Sequence, residues 1–163
     1  MKKLITILLL VLLITPLFAA GSGEKAPAKT VINFPTAATT GAVYPLGAAI
    51  ANMWNNKVPT VRASAQASAG GIENLNLIAD GEAQMGVAVT SIMYESFTGT
   101  GSFEGRANPN LRVMVGLYYN PNQVVVAKNS GINSLKDLVG KSFASGAPGS
   151  TTEVETAIHL QEL

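Results

Sequence analysis

The chain has 163 residues, no cysteine, one histidine and a formal net charge of +1 from 11 basic and 10 acidic side chains. Without cysteine no disulfide is possible, so the fold has to be held by its core. The Lys and Arg residues are scattered, with no basic run and no interleaved aromatics, which argues against a nucleic-acid partner.

The first residues are laid out as a secretory signal peptide. Met1-Lys2-Lys3 is a basic start, Leu4 to Leu13 is an almost unbroken apolar run, and Pro16 precedes the small residues Ala19-Ala20-Gly21-Ser22. The apolar run falls short of the roughly 20 residues that a membrane-spanning helix needs. Residues 1–21 are therefore expected to be cleaved on export to the periplasm, near Ala20 or Gly21. Ala19 to Ser22 is similar to a lipoprotein processing site with serine where the lipidated cysteine would stand, so no lipid anchor is expected. Loss of Lys2 and Lys3 leaves 9 basic against 10 acidic residues, a mature charge near −1.

Residues 22–29 are small and polar, with a proline, and are expected to be a flexible leader. A first strand is predicted at Thr30 to Phe34, followed by the small, hydroxylated loop Pro35 to Gly41. From Ala42 the pattern turns helical, with Leu46, Ala49, Ile50, Met53 and Trp54 on one face, and Asn55-Asn56-Lys57 with Pro59 ends the helix. Val61 to Gln66 alternates as a second strand. Ser68-Ala69-Gly70-Gly71 leads into a helix with Ile72, Leu75, Leu77 and Ile78 on its apolar face, closed by Asp80-Gly81. Met85 to Val89 is predicted as a short buried third strand, and Thr90-Ser91 as the cap of a helix ending near Phe97.

Gly99 to Asn110 is glycine-rich and polar, a predicted surface loop. Leu111 to Tyr118, Gln123 to Lys128 and Lys141 to Ser145 are predicted strands. Ser134 to Leu138 is a short helical turn, and a last helix starts at Thr151. Strand–helix alternation of this kind predicts an α/β fold with a largely parallel sheet. A lone βα unit at the C-terminal end cannot bury its faces, so the chain is expected to be part of a longer protein.

Four strand ends run into helices through similar loops, TAATTG, SAGG, TS and GAPGSTTE. In open α/β sheets ligands bind outside the carboxyl ends of the strands. A helix start there offers unpaired N–H groups and a partial positive charge, which suits a carboxylate. The alternative is that each hydroxyl merely caps its helix.

Enzyme signatures fail. Gly140-Lys141-Ser142 imitates the end of a P-loop, but Leu135 stands where that motif needs glycine. The glycines from Gly99 to Gly105 have one residue too many for a dinucleotide fingerprint. His159 is the only histidine and lacks partners for metal or catalytic work. Glu153 and Glu155 fall in the first turns of a helix, where carboxylates are electrostatically favourable. No metal, no cofactor and no catalytic residue is expected. Trp54 falls on an apolar helix face and is expected in the core. Tyr44 suits either packing or a ligand.

The succession TGAVYPLGAAIANMWN, ASAGGIENLNLIADGEAQMGVAVTS, NLRVMVGLYYNPNQVVV and SGINSLKDLVGKSFASGAPGSTTE resembles the TAXI family. These are the periplasmic solute receptors of TRAP (tripartite, ATP-independent) transporters. The resemblance implies a periplasmic binding protein type II-like fold of two α/β lobes, with lobe I over 30–121. The first crossing strand and the start of lobe II would occupy 122–163. It implies a monomer that captures a small organic anion, such as glutamate or a related amino acid or dicarboxylate, for membrane permease subunits.

Matched by motif, the first-lobe contacts would be Thr39, Thr40, Gly41 and Tyr44, with Gly70, Gly71, Thr90 and Ser91 nearby. Pro148, Gly149, Ser150, Thr151 and Thr152 would hold a carboxylate from the second lobe. The family's first loop has more glycine than TAATTGAVY, a departure that bears on the ligand. Two other classes are open to the residues alone. A secreted α/β hydrolase would need a nucleophile, for which Ser91 or Ser150 is available, but no base is in view. An adhesive surface domain would leave the glycine loops as turns only.

Overall fold

The computed structural model describes residues 28–162, so the predicted signal peptide and most of the leader lie outside the described residues. In chain order the elements are β1 (Thr30–Pro35), α1 (Val43–Lys57), β2 (Val61–Gln66), α2 (Gly71–Ala79) and α3 (Thr90–Thr98). Two 3-10 turns follow, Gly101–Phe103 and Leu135–Leu138, and then α4 (Thr151–Gln161). β1 and β2 pair in parallel, from Thr30 opposite Val61 to Pro35 opposite Gln66. Both strands therefore deliver their following loops to the same sheet edge. This mixed α/β arrangement agrees with the fold class expected from the alternation of elements.

α1 packs on the sheet through its smallest residues. Gly47 and Ala51 are buried, and Gly47 lies against the Thr36 methyl, so the helix approaches closely. Trp54 sits one turn on, its ring 5.6 Å from that of Phe34 and tilted by 40°. The buried stripe differs from the expected one, since Ala49 is exposed and Met53 is 52% exposed. Close approach at Gly47 and Ala51 rotates the bulkier Met53 outward. Asn55, at the end of the helix, closes the free edge of β2. Its amide donates to Ala63 O (2.8 Å) and its carbonyl accepts from Ala63 N (2.7 Å). One side chain thus supplies the pairing that a neighbouring strand would give, and shields an open edge.

The expected third strand is replaced by side-chain bonding. Met85 to Val89 runs beside β1 but forms no ladder, and a single backbone bond joins Val87 N to Pro35 O (3.3 Å). Pro35 has no N–H to return. Instead Asn33 takes Gln84 Oε1 (2.8 Å, through its backbone N–H) and Glu82 O (3.1 Å, through its side chain). Asn74 Nδ2 donates to both Thr36 O (2.8 Å) and Val87 O (2.7 Å). Leu111 to Tyr118, Gln123 to Lys128 and Lys141 to Ser145 likewise form no ladder, against expectation, and are largely exposed. Among the described residues they have no strand partner, and an unpaired extended run leaves its backbone groups to water.

The main core cluster joins Leu75 of α2, Ile92 of α3 and Phe103, with Ile78, Met93, Leu111 and Val154 packed around it. Phe103 is 2% exposed, so the predicted surface loop after α3 contributes a core residue. The loop is folded back by Glu95, whose carboxylate accepts from Ser102 N (3.0 Å), while Asn108 N donates to Ser96 O (2.7 Å). Gly99 ends α3 with a φ of 73°, the left-handed geometry that favours glycine at this position. The 3-10 turn predicted from Ser134 forms with a capping box. Asp137 accepts from Asn133 N and Ser134 N, and these bonds hold its carboxyl below the usual carboxylate range.

Candidate ligand-binding site

The loops that follow β1 and β2 meet at the carboxyl edge of the sheet. Ser68 N donates to Ala37 O (3.3 Å), and Thr36 Oγ1 and N both donate to Gln66 O. Val87 reaches the same edge through Pro35, so the residues that open α3 emerge beside the start of α2. Asn74 fastens the arrangement. It is fully buried, and its Oδ1 accepts from Ser68 Oγ at 2.6 Å while its amide holds Thr36 O and Val87 O. Three chain segments depend on this one amide. Its place on the apolar face of α2, three residues after Gly71 and one before Leu75, is the sequence signal that marks it.

Side-chain capping, the competing reading of these loops, fails at three of the four helix starts and holds at one. Thr39, Thr40 and Gly41 are exposed, and Gly41 N closes a turn onto Ala38 O (3.0 Å). The cap of α1 is Ala42, so neither threonine caps that helix, and Tyr44 stands half-buried in its first turn. α2 is opened by Gly70, whose φ of 126° suits only glycine, and no side chain caps it. The cap of α3 is Val89 rather than Thr90 or Ser91. Both of these are exposed in the first turn and neither caps.

At α4, Ser150 Oγ accepts from Glu153 N (3.1 Å) and Glu153 Oε2 accepts from Gly149 N (2.8 Å), a reciprocal box. Pro148 and Gly149 form the corner of a turn closed by Ser150 N onto Ala147 O (3.0 Å), with Gly149 at a φ of 74°. The N–H groups of Gly149 and Ser150 are thus already bonded within their own loop. Ser150→Ala should speed amide exchange over Thr151 to Thr156 by about fivefold, from loss of a cap contributing about 1 kcal/mol.

The fourth loop is brought directly onto the second. A Cβ added to Gly71 would lie 2.7 Å from Thr151 Oγ1 and 3.3 Å from Ala88 Cβ. Thr151 Oγ1 is buried there with no hydrogen-bond partner, and Thr152 beside it is exposed. Val154, one turn further along α4, packs on the Leu75, Ile92 and Phe103 cluster. Gly70, Gly71 and Thr151 are therefore neighbours, and Ala88 ties them to the chain entering α3. No hydrogen bond among the described residues joins Thr39, Thr40 or Tyr44 to the α4 loop. A separate cleft of about 420 Å³ lies between the extended segments around Val125 and Phe143, and none of the predicted site residues lines it.

A family model described as the NMT1-like family matches residues 34–163. The chain belongs to that family. The NMT1-like family is a periplasmic binding-protein-type, substrate-binding family, and the match supports a solute-binding function. The match begins at Phe34 and so takes in all four loops of the NMT1-like chain. Members of the family are typically extracytoplasmic, and no helix among the described residues is long and apolar enough to cross a membrane.

Proposed function

We propose that this protein is an exported, monomeric solute receptor of the TAXI type. It captures a small organic anion, glutamate or a related amino acid or dicarboxylate, at the helix starts and passes it to the permease subunits of a TRAP transporter. The observation that carries the reading is the set of uncapped helix starts at one sheet edge. α1, α2 and α3 begin without the N-cap acceptor that Ser150 supplies at α4, although at α2 the Glu73 carboxylate accepts from Ala69 N (2.6 Å) as Glu153 does from Gly149 N. Uncapped first turns with a partial positive charge are suited to a carboxylate. Thr151 adds a buried hydroxyl that lacks an acceptor. Lobe I (30–121) and the segment from 122 onward would close on the ligand by hinge motion.

Thermal-shift measurement of the exported protein with L-glutamate and 2-oxoglutarate tests this. A ligand that binds the folded state raises the midpoint, by an amount equivalent to about 2.7 kcal/mol at a concentration 100 times the Kd. A flat response to both acids, and to other amino acids and dicarboxylates, refutes the receptor reading.

A further inference from the structure

We infer that the protein occupies its own site: the first turn of α4 seats in the socket at Gly71, and Thr151 holds the place that a ligand must take. The inference rests on the receptor reading above and adds to it a self-contact that competes with the ligand.

Three observations carry it. Gly71 is buried in the first turn of α2, where its φ is not in the left-handed range, so its backbone does not call for glycine. A helical position of that kind favours alanine. What excludes a side chain is Thr151 Oγ1, 2.7 Å from where the Cβ would stand, with Ala88 closing the other side. The glycine serves close approach of α4. Secondly, the seated hydroxyl is buried and has no acceptor, which disfavours the seated state, since a buried polar group without a partner is costly. Thirdly, the seat is held by apolar contact instead, through Val154 on the core cluster of Leu75, Ile92 and Phe103.

The seat is thus stabilised at Val154 and opposed at Thr151. A ligand carboxylate entering between α2 and α4 would give the hydroxyl its missing acceptor, and the apparent affinity is lowered by the fraction of molecules in which the seat is occupied.

Amide exchange of the ligand-free exported protein is the first test, read over Ser150 to Thr156. Gly71→Ala should raise exchange there at least tenfold by displacing Thr151, and adding Thr151→Ala to it should return exchange to within about threefold of the parent. Exchange in Gly71→Ala that stays within twofold of the parent overturns the inference, as does failure of the second substitution to restore it. Val154→Ala is the second test, with L-glutamate as the probe. Loosening the seat away from the ligand contacts should tighten L-glutamate binding by about threefold or more while speeding exchange in α4. Weaker L-glutamate binding in Val154→Ala overturns the competition. If L-glutamate binds none of these proteins, the receptor reading loses its first ligand, and the ligand-free exchange results still decide whether Thr151 seats at Gly71.

Discussion

Asn74→Ala should destabilise the fold by about 3 kcal/mol, because it strands one buried carbonyl, one part-buried carbonyl and a part-buried hydroxyl at once. Thr36 O, Val87 O and Ser68 Oγ all bond to this side chain, which is itself fully buried. Urea denaturation followed by circular dichroism reads the change as a lower midpoint at constant slope. Asn74→Asp should cost at least as much at neutral pH, since it sets a carboxylate against two carbonyl oxygens. Burial and those dipoles would raise the folded-state pKa of the new carboxyl above its unfolded value. The penalty is therefore full above the folded pKa and shrinks as pH falls through it, where the protonated acid can donate to one carbonyl. The gap between parent and Asn74→Asp should narrow toward about pH 4, the unfolded carboxyl range. A loss below about 1 kcal/mol for Asn74→Ala would show that the three segments are not held through this amide in solution.

Ile92→Ala should cost about 2–5 kcal/mol. Ile92 is 1% exposed and clusters with Leu75 and Phe103, so truncation leaves a cavity that three separate elements would have to collapse to fill. Val154 rests on the same cluster, so amide exchange in α4 should rise together with the loss of global stability. Met53→Ala is the matched control. Met53 is 52% exposed on the outer side of α1, and its removal should change stability by no more than about 0.5 kcal/mol. If both substitutions cost the same, the cluster is not the centre of the core.

What could be read from the chain in advance follows from the range of the forces involved. The four helices and the short turn at Leu135 are local: their residues set period, caps and breakers within a few positions, and they form close to where the pattern places them. The strands from Met85 onward were not legible in this way. Val, Ile and Tyr favour extended backbone, but a ladder also needs a partner with free groups. At Met85 to Val89 the partner edge ends in Pro35, and the amide of Asn74 takes its place. Phe103 escaped notice because it sits among glycines and polar residues. Its burial depends on Glu95 pulling the loop back, a contact with no periodic signal.

The candidate site divides along the same line. Small, hydroxylated loops ahead of helices mark where a ligand could meet backbone N–H groups, and the sequence alone placed all four of them. Which groups are already spent is a tertiary matter. Ser150 and Gly149 are occupied by Glu153 and by their own turn, Thr39 and Thr40 stand exposed without capping, and Thr151 is buried against Gly71.

By itself, then, the sequence determined the helices, the four loops, the absence of thiol and disulfide chemistry, and the resemblance to solute receptors. Only the tertiary structure decided which face of α1 is buried, that Asn74 joins three segments, and that α4 sits on the start of α2. The reason is that propensity and capping act over a few residues, whereas burial and hydrogen-bond satisfaction depend on which distant segments the chain brings together.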